Sequence, residues 1–258
     1  LSAEARDQVK SKVLMTLSSS EPRAGTVAAQ VTAAIAAIEL PRGMWPDLVS
    51  QLLAAIGDLH NPCQRQAALQ AIGFTCEVVD PAVLAAQSNE ILTAVIQGAR
   101  KEETSPEVQL AALRALLNSL EFVRLNFERE GERNFIMQVV CEATQSPHVA
   151  VKVAAFENLV RIMQLYYDKM RFYMEQALFG LTVLGMRDPE PHVALQAVEF
   201  WSTVCDEEIE LSLEAAEALE FNEEPAHVSY HFAQIALPEI APVLMELLAL
   251  QDEDTDED

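Results

Sequence analysis

The pattern of apolar and polar residues predicts helices along almost the whole chain, and one set of them is apolar over a wide arc. Residues 91–96 and 135–140 are examples. A helix that contacts a single partner would show a narrower stripe. We therefore expect the helices to form pairs, in which we call the helix with the wide apolar arc the first helix and its partner the second helix. Each first helix should pack on its own second helix and on a first helix on either side. Most of the arc is predicted to be core, and the remainder could leave an apolar slot between successive first helices on the convex surface.

Five prolines, spaced 40, 44, 41 and 44 residues apart, each open a predicted second helix. Proline suits the first helical turn because its missing N–H would have no intrahelical partner there. Two helices in a unit of about 40 to 47 residues are typical of HEAT repeats. The sequence therefore predicts an all-α HEAT-repeat solenoid, a right-handed superhelix of paired antiparallel helices. The prolines are Pro22, Pro62, Pro106, Pro147 and Pro191.

We predict one array over residues 1–250, with about five repeats and the first helix of a sixth, followed by an acidic loop or tail at 251–258. Neither end shows the polar cap expected of a terminal repeat, so we interpret the chain as a segment of a longer array. The predicted pairs are 4–17 with 23–39, 45–56 with 63–78, 90–100 with 107–122, 134–143 with 148–166, and 171–186 with 192–204; helical residues 206–219 and a last first helix at 228–250 follow.

The formal charge of −23 argues against nucleic acid as a direct partner, because the phosphate backbone would be repelled. It favours a basic protein partner, or it keeps the array soluble. On second helices, Glu121 and residues 206–208 are candidates for an acidic inner wall and could equally be solvated helix ends. The acidic tail either is solvated or attracts Lys and Arg of a partner, and it lacks the glycine and distal glutamate of a calcium loop. Its acidic residues are Asp252, Glu253, Asp254, Asp256, Glu257 and Asp258.

Catalysis, cofactors and metals find no support in the sequence. His227 and His231 share a helical i, i+4 spacing but lack a third ligand nearby, and no phosphate-binding or nucleophile motif occurs. No secretory signal is present and no apolar run approaches about 18 to 20 residues, so we predict a soluble intracellular protein without membrane insertion. Four widely spaced cysteines are predicted to be buried free thiols: Cys63, Cys76, Cys141 and Cys205.

Several longer strings of residues are more specific than the repeat. They closely resemble the importin-β family of nuclear import receptors: LPRGMWPDL at 40–48, SNEILTAVIQG at 88–98, LLNSLEF at 116–122, FIMQVVCEATQ at 135–145 and FWSTVCDEE at 200–208. The likeness spans almost the whole chain. It implies the third to seventh HEAT repeats and the first helix of the eighth.

The resemblance also implies partners. Phe-Gly nucleoporins bind the convex side in this family, cargo or the importin-α adaptor binds the concave side, and RanGTP binds partly through early repeats and the acidic loop. The first repeats and the adaptor-binding half lie outside this chain, so only part of the Ran site and little of the adaptor site are expected. The implied location is the cytoplasm and nucleus, including the nuclear pore.

The family's main nucleoporin slot falls here between the first helices of repeats three and four. A Phe ring would insert between apolar side chains while Glu132 and Thr93 hold the peptide backbone. The alternative function is a HEAT scaffold subunit that assembles a phosphatase or another multiprotein complex, which has no need for an open apolar slot. The matching positions are Leu92, Thr93, Ile96, Glu132, Phe135 and Ile136.

Overall fold

A computed structural model describes residues 2–254. All secondary-structure elements of these residues are helices, and none is a strand. Contacts divide the chain into two units, Leu1–Asn158 and Leu159–Asp258. The all-α class is thus confirmed. The helices before Asn158 are α1 Ala3–Thr16, α2 Pro22–Glu39, α3 Leu48–Ile56, α4 Pro62–Val78, α5 Pro81–Leu84, α6 Ser88–Ala99, α7 Pro106–Ser119, α8 Arg124–Glu128 and α9 Glu130–Ala143; α10, Val149–Tyr166, contains the boundary between the units.

Helices of the first unit pack as two layers. The second helices α2, α4 and α7 stack in chain order, and so do the first helices α3, α6 and α9. Within repeats, α1 packs on α2, α3 on α4 and α6 on α7. The helices α3, α4, α6 and α7 therefore each contact a partner in their own repeat and at least one neighbour in an adjacent repeat, as the wide apolar arcs predict. Leu69, Leu113 and Leu116 are fully buried in this core.

Small residues allow the second helices to approach closely. A Cβ added at Gly73 of α4 would lie 3.1 Å from Cα of Ala115 on α7. At the preceding interface, a Cβ on Gly25 would lie 3.2 Å from Cβ of Ala67. Since the nearest atom at Gly73 is backbone, a side chain there would push two helices apart.

Polar side chains tie the stacked helices together. The Asn118 amide donates to the Gly73 carbonyl at 3.1 Å, and the Asn158 amide donates to the Leu113 carbonyl at 2.9 Å. Both bonds join residues 45 positions apart, close to the repeat period. At both interfaces, an Asn side chain of one second helix thus bonds a backbone carbonyl of the preceding second helix.

The proline signal is confirmed at four of its five positions. Pro22, Pro62, Pro106 and Pro191 lie in the first turn of α2, α4, α7 and the helix Pro191–Glu220. The exception is Pro147, because its helix begins two residues later at Val149. A capping side chain strengthens two of these starts: Asn61 Oδ1 accepts the Gln64 N–H at 3.0 Å, and Ser105 Oγ accepts the Val108 N–H at 3.3 Å.

The second unit departs from the prediction in three places. The predicted helix 171–186 is divided into α11 Arg171–Tyr173, a π-helical turn Met174–Leu178 and α12 Phe179–Gly185. The pieces at 192–204 and 206–219 form one helix, α13 Pro191–Glu220, because neither Gly nor a further Pro interrupts them. The last helix, α14, is Phe232–Asp254, so it begins later than predicted and includes residues 251–254 of the predicted acidic loop.

A buried carboxylate holds the start of α14. Glu208 accepts the Phe232 and Ala233 N–H groups at 2.5 and 3.1 Å, and the Tyr167 hydroxyl donates to it at 2.6 Å. The Tyr230 N–H in turn donates to the Tyr167 oxygen at 2.9 Å. Glu208 therefore caps a helix, and its candidacy for an acidic inner wall was wrong: the side chain is buried by its bonding partners.

Two helices are long and apolar enough to cross a membrane by length and composition, Pro22–Arg42 and Phe232–Ala249, although charged residues interrupt the apolar sequence of both. The first packs against α1 and α4 and buries Ala29, Ala33 and Ala36. The second contacts α12 and α13. Packing within the protein accounts for part of this apolar character.

The cysteines and histidines form no cluster within the described residues that could hold a metal. Burial raises the pKa of the Cys76 thiol to about 12, and burial followed by the nearby Glu142 charge does the same for Cys141. His227 and His231 lie before α14 and outside any helix, so the prediction that a helix places them one turn apart was wrong. His227 Nδ1 lies 3.2 Å from a Glu214 carboxylate oxygen.

Candidate binding slot between two first helices

A cavity of about 440 Å³ lies between α6 and α9 in the first unit. We call it the α6/α9 slot. All six slot residues expected from the sequence line it, and four further polar residues complete its wall. The expected residues are Leu92, Thr93, Ile96, Glu132, Phe135 and Ile136; the additional ones are Asn89, Gln97, Arg100 and Asn126.

Helix periodicity places the apolar part of this slot. Leu92 and Ile96 are one turn apart on α6, and Ile136 faces them from α9. These three side chains are 6%, 2% and 2% exposed, so most of their surface already belongs to the core. Phe135 is 45% exposed, and its ring supplies accessible aromatic surface at the slot. The slot therefore has an aliphatic floor and one aromatic wall.

Hydrogen bonds fix the polar edge of the slot. The buried Asn126 amide donates to Glu132 Oε2 at 2.6 Å and to Asn89 Oδ1 at 2.8 Å, and Arg129 donates to Glu132 Oε1 at 2.9 Å. The Arg129 and Asn126 bonds lower the pKa of Glu132 from its ordinary value. The carboxylate is thus ionised near neutral pH, and each oxygen keeps a lone pair for a further donor.

Thr93 is oriented by its own helix. Its hydroxyl donates to the Asn89 carbonyl at 2.7 Å, so the oxygen remains able to accept a hydrogen bond from a ligand. Asn126 was not predicted from the sequence, because α8, the short helix that carries it, shows no apolar periodicity. Asn89 and Gln97 could have been predicted as slot residues, since they lie one turn before and one turn after Thr93 on the same helix.

The acidic tail is described only in part. Asp252, Glu253 and Asp254 belong to the end of α14, whereas Asp256, Glu257 and Asp258 lie outside the described residues. The charged residues are also distributed unevenly along the chain, which the overall composition does not show. All 17 Lys and Arg residues lie at or before Arg187, while half of the 40 Asp and Glu residues lie after it. Nearly all of the net negative charge therefore belongs to residues 188–258.

The chain has close relatives of known identity, although no protein-family model matches it. It is 59% identical to importin subunit beta-1 of Schizosaccharomyces pombe, 47% to that of Saccharomyces cerevisiae and 43% to that of Arabidopsis thaliana. Each match covers the whole chain and 29–30% of the relative. The chain belongs to the importin-β family. It spans about 30% of the length of these curated relatives.

Solved structures agree with the importin-β assignment. Importin β crystallised from ammonium sulfate is 52% identical with a TM-score of 0.91, over 99% of this chain and 30% of that one. Kap95 in its complex with Nup1 is 47% identical with a TM-score of 0.87, over 100% of this chain and 30% of that one. A designed armadillo-repeat protein, 14% identical with a TM-score of 0.57, shares the fold alone. The helical-repeat solenoid class predicted from the sequence is confirmed.

Proposed function

We propose that this chain is part of a nuclear transport receptor and that its α6/α9 slot binds phenylalanine side chains of Phe-Gly nucleoporins. The observation that carries the proposal is the convergence of all six expected residues on one cavity. Kap95, a yeast importin β, has been solved with Nup1 and with RanGDP, which supports partners of this kind. The chain acts by binding, and we assign it no reaction of its own.

The slot suits a phenylalanine ring because its floor is aliphatic and its Phe135 wall is aromatic. Ring centroids 4.5 to 7 Å apart pack favourably in offset or edge-to-face geometry. Fully burying one Phe is worth roughly 1.5 to 3 kcal/mol, much of which the cost of association consumes. A single contact is therefore weak, and strength comes from many Phe-Gly motifs presented by one nucleoporin.

The polar edge of the slot suits the backbone of the same peptide. Glu132 accepts peptide N–H groups, and Asn126 and Arg129 keep its carboxylate ionised and oriented. Thr93 offers an acceptor on the opposite helix. Glycine beside the phenylalanine lets the peptide backbone approach these groups closely.

The remaining partners rest on the family relationship and the charge distribution. RanGTP would meet only part of its site here, through the acidic residues near 252–258, because the first repeats lie outside this chain. Basic import-signal cargo, or the importin-α adaptor, would be attracted by the negative charge of residues 188–258. The corresponding location is the cytoplasm and nucleus, with passage through the nuclear pore.

Immobilised Phe-Gly repeats test the slot directly. We expect Phe135→Ser and Ile96→Asp to lower retention strongly, the first by removing the aromatic wall and the second by placing a carboxylate that must be desolvated beneath the ring. Ile38→Ser, at an aliphatic residue of α2 that is 57% exposed and lies outside the slot, is the matched control.

Because Ile96 is almost fully buried, its variant must retain the parent's circular dichroism and melting temperature before its retention is interpreted. Phe135→Ser carries the test if that variant does not fold. Retention of Phe135→Ser equal to the parent would contradict the slot and favour the scaffold function instead.

A further inference from the structure

The short helix α8 bonds to both walls of the α6/α9 slot through one side chain. Asn126 lines the cavity and is only 4% exposed, although it is polar. Its amide nitrogen lies 2.8 Å from Asn89 Oδ1 on α6 and 2.6 Å from Glu132 Oε2 on α9. An amide group carries two N–H donors, so both are used here. We call this pair of hydrogen bonds the Asn126 bridge.

The backbone of α8 fixes the position of the bridging amide. The Asn126 N–H donates to the Val123 carbonyl at 2.9 Å, and the Asn126 carbonyl accepts the Arg129 N–H at 3.2 Å. The next residue, Phe127, is fully buried and anchors α8 in the core. The bridge therefore joins the two walls through a third element that is itself held in place.

The bridge lies where it specifies the separation of the two walls. Asn89 and Glu132 both belong to the first turns of their helices, so the bridge ties the N-terminal ends of α6 and α9 together. The aliphatic floor of the slot packs without directional preference, whereas hydrogen bonds to nitrogen require about 2.7 to 3.2 Å between donor and acceptor. A buried amide that spends its two donors on two different helices thus sets a geometry that apolar contacts leave open.

We propose that Asn126 is a positioning residue for Phe-Gly binding: its bridge holds the two walls at the separation that a phenylalanine ring requires and aims the Glu132 carboxylate at the peptide backbone. The inference rests on the proposed function, since it concerns the same slot. Asn126 acts through Asn89 and Glu132, and a binding site loosened by about 1 Å in its supporting groups loses much of its strength.

Asn126→Asp tests the bridge, because it keeps the shape of the side chain and replaces the amide nitrogen with a carboxylate oxygen. That oxygen would face the acceptor oxygens of Asn89 and Glu132, so both hydrogen bonds are lost and two carboxylates lie side by side. We expect the affinity of the intact chain for a peptide with a single Phe-Gly motif to fall about tenfold, within the range for neighbours in one hydrogen-bond network. Fluorescence anisotropy measures it.

A second substitution, Glu132→Gln, separates positioning from a general loss of structure. In the double variant, the new amide at position 132 donates to the new carboxylate at position 126, so the bond forms again with donor and acceptor exchanged. The affinity of the double variant should therefore lie within about threefold of that of Glu132→Gln alone. A residue that only stabilised the fold would reduce affinity by the same factor in both backgrounds.

Asn158→Asp is the matched control. Asn158 is also fully buried, and its amide joins two helices by donating to the Leu113 carbonyl at 2.9 Å, but it lines no part of the slot. This variant should lower the melting temperature and leave the peptide affinity of the folded protein unchanged.

Two variants at the exposed Asn89 keep the test available if Asn126→Asp does not fold. Asn89→Asp retains an acceptor oxygen for the bridge, whereas Asn89→Ala removes it, and both lose the Asn89 amide donors. We expect Asn89→Ala to bind the peptide about threefold more weakly than Asn89→Asp. Equal affinities of these two variants would overturn the positioning role.

The remaining outcomes separate this inference from the proposed function. Parental affinity of Asn126→Asp, or an equal loss with and without Glu132→Gln, would overturn the positioning role and leave the slot standing as long as Phe135→Ser still loses binding. Unchanged peptide binding by Phe135→Ser would overturn the proposed function and this inference with it.

Discussion

The buried ion pair between Arg65 and Glu103 joins neighbouring repeats. Their side chains are 10% and 6% exposed, and their atoms approach to 2.6 Å. Burial by itself raises the pKa of Glu103, but the Arg65 bond and the Ser105 N–H lower it to below its ordinary value overall. The ionised carboxylate thus stabilises the folded state above the unfolded pKa of about 4.3, and this contribution is lost as pH falls through the lower folded pKa.

We expect Arg65→Met to lose about 3 to 5 kcal/mol at pH 7, because Glu103 then stays buried without its cation. The loss should shrink as pH falls towards about 4, since protonation relieves the uncompensated charge. Thermal melting of parent and variant between pH 7 and 4 measures both effects. Arg129→Met, which breaks the exposed pair with Glu132, should cost under about 1 kcal/mol. A difference that grows in acid would argue against this account.

Residues of the α6/α9 slot divide by how they could be predicted. Leu92, Ile96 and Ile136 follow from apolar periodicity, which places them at a helix interface, and the family resemblance selects them among similar residues. Asn126 could not be predicted, because its role depends on where α8 places it against Glu132. Periodicity reports which face of a helix is apolar, whereas a hydrogen bond between elements requires their relative position.

At the scale of the helix, the spacing between α4 and α7 is set by Gly73. We expect Gly73→Ala to destabilise the protein by about 1 to 3 kcal/mol, because the new Cβ would lie 3.1 Å from Cα of Ala115. Gly180→Ala is the control: a Cβ there meets nothing within 4 Å, and alanine is the better helix former by up to about 1 kcal/mol. Melting temperatures should therefore move in opposite directions. A stabilised Gly73→Ala variant would show that the two helices separate without cost.

The attachment of α14 depends on one carboxylate. In Glu208→Ala the Phe232 and Ala233 N–H groups lose their acceptor, and the Tyr167 hydroxyl loses its partner as well. We expect hydrogen exchange in the first turns of α14 to accelerate by about 10- to 100-fold, the equivalent of losing about 1.5 to 3 kcal/mol of charged hydrogen bonding. Glu210→Ala, an exposed position on the same helix, should leave exchange unchanged. Equal protection in both variants would contradict the capping role.

The sequence predicted where most helices occur. It did not predict which helices are continuous, or that one segment is a π-helical turn. Proline spacing located α2, α4 and α7 to within a few residues, because proline constrains the first turn directly. The π-helical turn Met174–Leu178 has no proline or glycine within it to indicate the change of hydrogen bonding. The start of α14 also escaped prediction, since Glu208, 24 residues before Phe232, supplies its cap.

Over the whole molecule, the net negative charge is concentrated in the C-terminal part of the chain rather than spread evenly along it. Residues 188–258 contain no Lys or Arg and half of the acidic residues. A field of one sign raises association rates for oppositely charged partners and is screened over about 8 to 10 Å at physiological salt. The proposed Phe-Gly site lies in the first unit, which holds most of the basic residues. The two proposed binding modes should therefore respond differently to salt.

We expect a basic import-signal peptide to associate more slowly with a variant in which the six acidic residues of the tail are changed to Asn or Gln. The effect should be largest at low salt, about tenfold or less, and should vanish near 1 M, where the screening length is about 3 Å. Dissociation should change less, because long-range attraction acts mainly on encounter. Stopped-flow fluorescence over a salt series measures both rates.

A neutral Phe-Gly peptide is the control, since its binding to the α6/α9 slot depends on apolar burial. Salt-insensitive association of the basic peptide with the parent would count against electrostatic capture by residues 188–258.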